Sequence, residues 1–218
     1  MQLTSRIPAP RRQAGVSMIE VLVALMIAVV GLLGLVGVQA RAQIAEFESY
    51  QRTQALVLLN EMVDRMSFNR VTDAAGYVTG WKCYIVTTDT TTGTPAFGTG
   101  YDPALLTCRD GAIAGAAKTR ADEDIPAWNA LLLGAGETKI AGGVISNVGG
   151  LLGARGCITR DGTTGALRVS VAWQGMAPTV APADTCGRGD GTNYGTNDAL
   201  RRVVSAEFVV PVLTSVAP

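Results

Sequence analysis

The sequence predicts an α+β protein in which one long N-terminal helix, membrane-spanning and then amphipathic, packs on an antiparallel β-sheet. Three observations carry that expectation. From Val21 to Val38 every residue is apolar or glycine, 18 in a row. From Gln39 to Arg70 no glycine or proline interrupts a helical spacing of apolar positions. Between Leu167 and Gln174, Leu167, Val169, Val171 and Trp173 alternate with Arg168, Ser170, Ala172 and Gln174, a period of two that marks a sheet with one buried face. A helix followed by antiparallel strands that cover its apolar side is an α+β arrangement.

The apolar run comes first. As a helix it is about 27 Å long at about 1.5 Å per residue, close to a hydrocarbon core of about 30 Å. A secretory h-region is usually only about 7–15 residues, so the run reads as an anchor that is retained. Val38-Gln39-Ala40 and Ala40-Arg41-Ala42 offer a rival, small-residue signal-peptidase cut that would release a soluble protein. The length of the run and Glu20 weigh against it. A carboxylate deep in a bilayer costs roughly 2.5–3.5 kcal/mol on insertion scales. Glu20 is therefore expected either at headgroup level, near a helix N-terminus that favours negative charge, or paired with a cation from another subunit. An α-amine freed by cleavage before Val16 would be such a cation. Gly31, Gly34 and Gly37 each weaken a helix by roughly 1 kcal/mol relative to Ala and in lipid allow close helix contacts.

Beyond the anchor, Ala55, Leu58, Leu59, Met62, Val63 and Met66 recur at helical spacing, with Gln43, Glu46, Gln54, Glu61 and Arg65 at polar positions. This is an amphipathic helix suited to lie on a globular body. Asn69 is expected to end it, in the left-handed cap conformation. A helix from Val16 to Asn69 is roughly 80 Å long. Its half-protruding length makes sense as a part that packs against copies in a filament. The expected organisation is a basic leader at 1–15, a transmembrane and assembly helix at 16–40, its amphipathic continuation at 41–70 and a β-rich body at 71–218.

In the body, residues 81–88 (WKCYIVTT) read as a strand and 87–101 as a Thr/Gly-rich loop. Residues 124–133 suit a short helix with Asp124 as N-cap, Pro126 in the first turn, and Trp128, Leu131 and Leu132 buried. Residues 156–161 and 166–174 form a predicted hairpin around Asp161-Gly162-Thr163-Thr164-Gly165. Residues 202–213 give a last strand with Val204, Ala206, Phe208 and Val210 on one side.

Composition narrows the function classes. The chain has no histidine, which removes the commonest general base and metal ligand near neutral pH and with them a Ser-His-Asp triad or a His-containing zinc site. Residues 1–15 carry Arg6, Arg11 and Arg12 and no acid, leaving 15 basic against 18 acidic residues in the rest. A mildly acidic body argues against nucleic-acid binding by phosphate neutralisation. Cys83, Cys108, Cys157 and Cys186 all follow the apolar run, and none sits in a C-x-x-C pair. Disulfides in an oxidising compartment are the expectation, against four buried free thiols. Three pairings are open. Cys157–Cys186 is preferred because it ties the hairpin to the loop before the last strand, which leaves Cys83–Cys108.

Other motifs weigh less. Arg188-Gly189-Asp190 is a three-residue match of the kind chance supplies. Asp184, Asp190, Asn193, Asn197 and Asp198 could gather round a calcium ion, but their spacing is not that of an EF-hand loop and a plain turn cluster accounts for them. Asp122, Glu123 and Asp124 read as a solvated helix start rather than a carboxylate site. No cofactor is expected.

The string Gly15-Val16-Ser17-Met18-Ile19-Glu20-Val21-Leu22-Val23-Ala24-Leu25 resembles the type IV prepilin signature. The resemblance implies the pilin fold. It also implies that a prepilin peptidase cuts after Gly15, that Val16 becomes the N-methylated first residue, and that Glu20, fifth after the cut, is the assembly carboxylate. Val16 departs from the Phe usual at that position. Arg155-Gly156-Cys157-Ile158, Val169–Gly175, Cys186-Gly187 and Leu200–Val204, with Gln51-Arg52, Asp64-Arg65-Met66 and Asn69-Arg70, resemble the PilV-type minor pilins. This second resemblance implies a non-enzymatic subunit of a type IV pilus that primes assembly, sits in the tip complex and supports twitching motility and adhesion. The implied partners are the peptidase, other minor pilins and the major pilin, inner-membrane lipid and a tip adhesin, with no nucleic acid. The implied route runs from the bacterial inner membrane, body in the periplasm, to the pilus fibre. Two alternatives stay open: a pseudopilin of a type II secretion system and a membrane-anchored periplasmic binding module.

Overall fold

The computed structural model describes residues 15–71, 79–85, 97–100, 107–108, 110–189 and 194–210. The chain divides into two compact units, Met1–Glu46 and Phe47–Pro218. Helix α1 (Met18–Phe68) contributes to both.

In the first unit α1 is the expected apolar segment. Val21 to Val38 is exposed throughout, and its mean hydropathy reaches 2.9 over an 18-residue window. Among the described residues this is the one helix long and apolar enough to cross a membrane.

In the second unit α1 buries one stripe: Gln51, Ala55, Leu59, Met62 and Met66, with Leu58 and Val63 packed at its margin. Those positions recur every three or four residues, so they share one face. The helix stops at Phe68, as Asn69 predicts, but not in the predicted conformation. Asn69 does not adopt positive φ. Its side chain is fully buried and its amide donates to the Tyr84 hydroxyl at 3.1 Å and the Ala117 carbonyl at 2.9 Å. Just past the helix end, the Asn69 side chain is drawn into a tertiary hydrogen-bond network.

Of the expected strand at 81–88, residues 81–84 belong to a 3-10 helix instead, Gly80–Tyr84. Gly80, Cys83 and Tyr84 are buried while Lys82 is exposed, a spacing of a tight helix rather than a pleat. Gly80 sits so close to Asn69 that a Cβ there would lie 2.4 Å from the Asn69 carbonyl oxygen. Residues 86–88, most of the predicted Thr/Gly loop and the last predicted strand residues 211–213 lie outside the described residues. Within that loop Phe97–Gly98 forms a short strand, β1.

Helix α2 (Gly115–Leu132) is longer than predicted. Asp124 is not its N-cap but lies in its middle, and Pro126 is an interior residue. Leu131 is half-buried, while Ala117, Ala121, Ile125, Trp128 and Leu132 form the buried stripe. Small residues supply the first half of that stripe, so the apolar signal there is weak. The helix is followed by a two-stranded hairpin, β2 (Thr138–Ala141) and β3 (Val144–Asn147), exposed on both faces.

The main sheet contains β1, β4 (Arg155–Arg160), β5 (Leu167–Gln174) and β6 (Arg201–Phe208), in that order and antiparallel throughout. Ile158 pairs with Val169 and Val171 with Val204. The predicted hairpin turn is closed by the Asp161 carboxylate, which accepts the amides of Thr163 at 2.8 Å and Thr164 at 2.6 Å. Leu167, Val169, Val171 and Trp173 enter the core with the α1 and α2 stripes. Val204, Ala206, Phe208 and Val210 also line that side. The other face of β5 departs from expectation: Ser170 and Ala172 are buried too, beneath a second cluster of Cys157, Ala172, Cys186 and Tyr194. The long β5–β6 connection covers it. Cys83–Cys108 and Cys157–Cys186 are bonded, and no cysteine is free.

Candidate functional site

The chemistry of the first unit is concentrated in six residues, Gly15 to Glu20. Gly15, Val16 and Ser17 precede the helix and are exposed. The Gly15–Val16 peptide bond thus lies outside α1 and is exposed, as backbone open to a protease must be. Ser17 starts the helix. Its carbonyl accepts the amides of Glu20 at 3.1 Å and Val21 at 3.4 Å, and its hydroxyl accepts the Glu20 amide at 3.3 Å. A serine hydroxyl that binds the amide three residues on is an N-cap, with Glu at the third helical position completing the S-x-x-E capping-box sequence. The cap places Glu20 in the first turn of α1, where a helix end favours negative charge.

Glu20 is the sole charged residue between Arg12 and Arg41. In hydrocarbon, or between packed apolar helices, its carboxylate needs a positive partner. Ser17 is the residue of this site that the sequence reading missed, although the S-x-x-E spacing before an apolar run is a legible signal. Gly31, Gly34 and Gly37 lie further along the same segment, and a Cβ at any of them would meet open space within the chain.

Several carboxylates of the second unit make structural contacts. The Asp122-Glu123-Asp124 cluster is not a helix start but part of the α2 interior. Asp122 accepts the Cys108 amide at 2.7 Å and pairs with Lys118. Burial acts to raise its pKa, but those two partners outweigh burial and hold it below the usual carboxylate range. Asp124 accepts from Arg65 at 2.8 Å and from the Tyr84 hydroxyl at 2.7 Å, which fastens α1, α2 and the 3-10 helix together. Glu48, unmarked in the sequence, accepts the amides of Met176 at 3.0 Å and Ala177 at 3.3 Å and pairs with Arg202 at 3.1 Å. Asp190 and Asn193 lie outside the described residues. Among the described residues no three His, Cys, Asp or Glu side chains are grouped to hold a metal ion.

A family model described as the prokaryotic N-terminal methylation motif matches residues 10–36, a span that includes Gly15, Val16, Ser17 and Glu20. That motif is the type IV pilin-like one. It implies processing by a prepilin peptidase and assembly with other pilins, and with the apolar part of α1 it fits anchoring in a membrane. No curated protein and no solved structure matches the chain.

Proposed function

We propose that this chain is a minor pilin of the PilV type, a non-enzymatic subunit that helps to prime a type IV pilus and joins its tip complex, in support of twitching motility and adhesion. In this reading residues 1–15 are a leader removed by the peptidase after Gly15. Val16 is the N-methylated terminus. Residues 16–40 insert in the inner membrane and later in the filament, 41–70 bridge to the body, and 71–218 face the periplasm and then the cell exterior. Other minor pilins, the major pilin and a tip adhesin are its partners. The observation that carries the reading is the position of Glu20: one capped helical turn inside an exposed apolar segment, within the methylation motif. The apolar face supplies lateral packing, and the carboxylate supplies a charge pair whose attraction grows in a low-dielectric filament interior.

The test is Glu20→Ala in the native host. The variant should reach the membrane, lose its leader and fold with both disulfides, yet fail to enter sheared pili. Glu20→Asp should recover part of the incorporation. A Glu20→Ala subunit that enters pili at the wild-type level would remove the assembly role.

A further inference from the structure

The connection between β5 and β6 is organised round a buried cation. Arg201, the first residue of β6, is completely buried. Its guanidinium donates to three main-chain carbonyls of the connection: to Asp184 at 2.7 Å and Cys186 at 2.9 Å through Nη1, and to Pro182 at 2.9 Å through Nη2. Its Nε lies 3.4 Å from Asp198 Oδ2, an ion-pair contact. The same Asp198 oxygen accepts the Gly189 amide at 3.1 Å. Burial lowers the Arg201 pKa and Asp198 opposes that shift; a guanidinium remains protonated in either case.

Carbonyl and carboxylate oxygens converging on one positive centre form the kind of donor set that binds calcium. Asp184 and Asp198 are also two of the residues from which the sequence could assemble a calcium site. Here the positive centre belongs to the chain. The Asp184 carboxylate itself is turned elsewhere, to the Cys186 amide at 2.8 Å and the Ser170 hydroxyl at 3.0 Å. Asn197 and Asp198 both take a left-handed φ of 56°, a conformation that Asn and Asp tolerate better than most residues. Backbone geometry accounts for Asn197, and backbone geometry with the contacts to Arg201 and Gly189 accounts for Asp198, without a ligand role. We propose that Arg201 is the built-in cation of the Pro182–Gly189 segment, holding its carbonyls, with Asp198 beside it, as a bound calcium ion would, so that this part of the fold is indifferent to calcium.

The full chain in detergent micelles, disulfides intact, is melted by near-UV circular dichroism in EDTA and in millimolar calcium chloride. The wild-type Tm should be the same in both. Arg201→Met should lower Tm by about 10 °C and speed tryptic cutting after Arg188, which lies in the connection. Arg201→Lys, which keeps the charge with fewer donors, should fall between. A wild-type Tm raised by several degrees in calcium would overturn the proposal, and so would an Arg201→Met chain that melts and resists trypsin like wild type. Should Arg201→Met fail to accumulate, the wild-type comparison and Arg201→Lys still decide.

Discussion

The indole N–H of Trp128 donates to the main-chain carbonyl of Leu58 at 2.8 Å, which fixes α2 against the C-terminal part of α1. Behind the ring, Gly156 leaves no spare room: a Cβ there would lie 2.4 Å from Trp128 Cη2. Phe97 closes a third side, edge-on at a centroid distance of 5.2 Å. Sheet, both helices and the short strand β1 thus meet on one side chain. Trp128→Phe should cost about 2 kcal/mol, through the lost hydrogen bond and lost area. Gly156→Ala should cost about 1–3 kcal/mol by overpacking. The double substitution should cost less than the two together, because the smaller ring vacates the space that the new methyl needs. Urea unfolding of the four proteins in detergent measures the coupling, and strict additivity would contradict this packing.

Alkaline pH offers a second check. Burial pushes the Tyr194 hydroxyl up to about 12. Burial, reinforced by its donation to Asp124, pushes Tyr84 up as well. Both groups are held neutral in the fold, whereas an unfolded tyrosine ionises near about 10. Their contribution is therefore fully present below about pH 10 and is lost as pH rises towards about 12, by about 1.4 kcal/mol per pH unit for each group in that window. Tyr194→Phe should flatten this limb. It should also lower the neutral-pH stability by about 1 kcal/mol, because the hydroxyl donates to the Gly153 carbonyl at 2.8 Å. Urea midpoints from pH 9 upward give the slope.

The disulfides close loops with sequence separations of 25 and 29 residues. In the chain-entropy model each is worth about 3–4 kcal/mol. Cys157→Ser with Cys186→Ser should cost about that much and should expose the second cluster, since Cys186 packs with Ala172 and Tyr194. Faster tryptic cutting after Arg188 together with a lower urea midpoint checks this.

Much of this architecture was legible in the residues. The apolar run, the stripe from Ala55 to Met66 and the alternation along β5 have the periods that helices and sheets impose, and each element is long enough for its period to show. The elements that escaped are short or weakly marked. Gly80–Tyr84 spans five residues, too few for periodicity, and its two aromatics, followed in the sequence by Ile85, Val86, Thr87 and Thr88, read as strand. The first half of α2 buries only alanines, and its N-cap, Ala114, makes no side-chain capping bond, so Pro126 drew the predicted start too far along. The β2–β3 hairpin carried a signal that was passed over: Gly142-Gly143, both at positive φ, is a two-residue turn between short apolar runs. Within the candidate site, Gly15, Val16 and Glu20 stand in one short string, so their resemblance to the prepilin signature is visible locally. The Glu48 and Arg201 clusters depend on residues far apart in the chain, which no local pattern can bring together.

The central claim is that the chain matures as a prepilin, and the mature N-terminus tests it most directly. Intact mass and N-terminal sequencing of the protein from membranes of its own host should show residues 1–15 missing and a methylated Val16 at the front, with both disulfides oxidised. A chain that begins near Arg41 or Gln43, or one that keeps its first residues, would contradict the account.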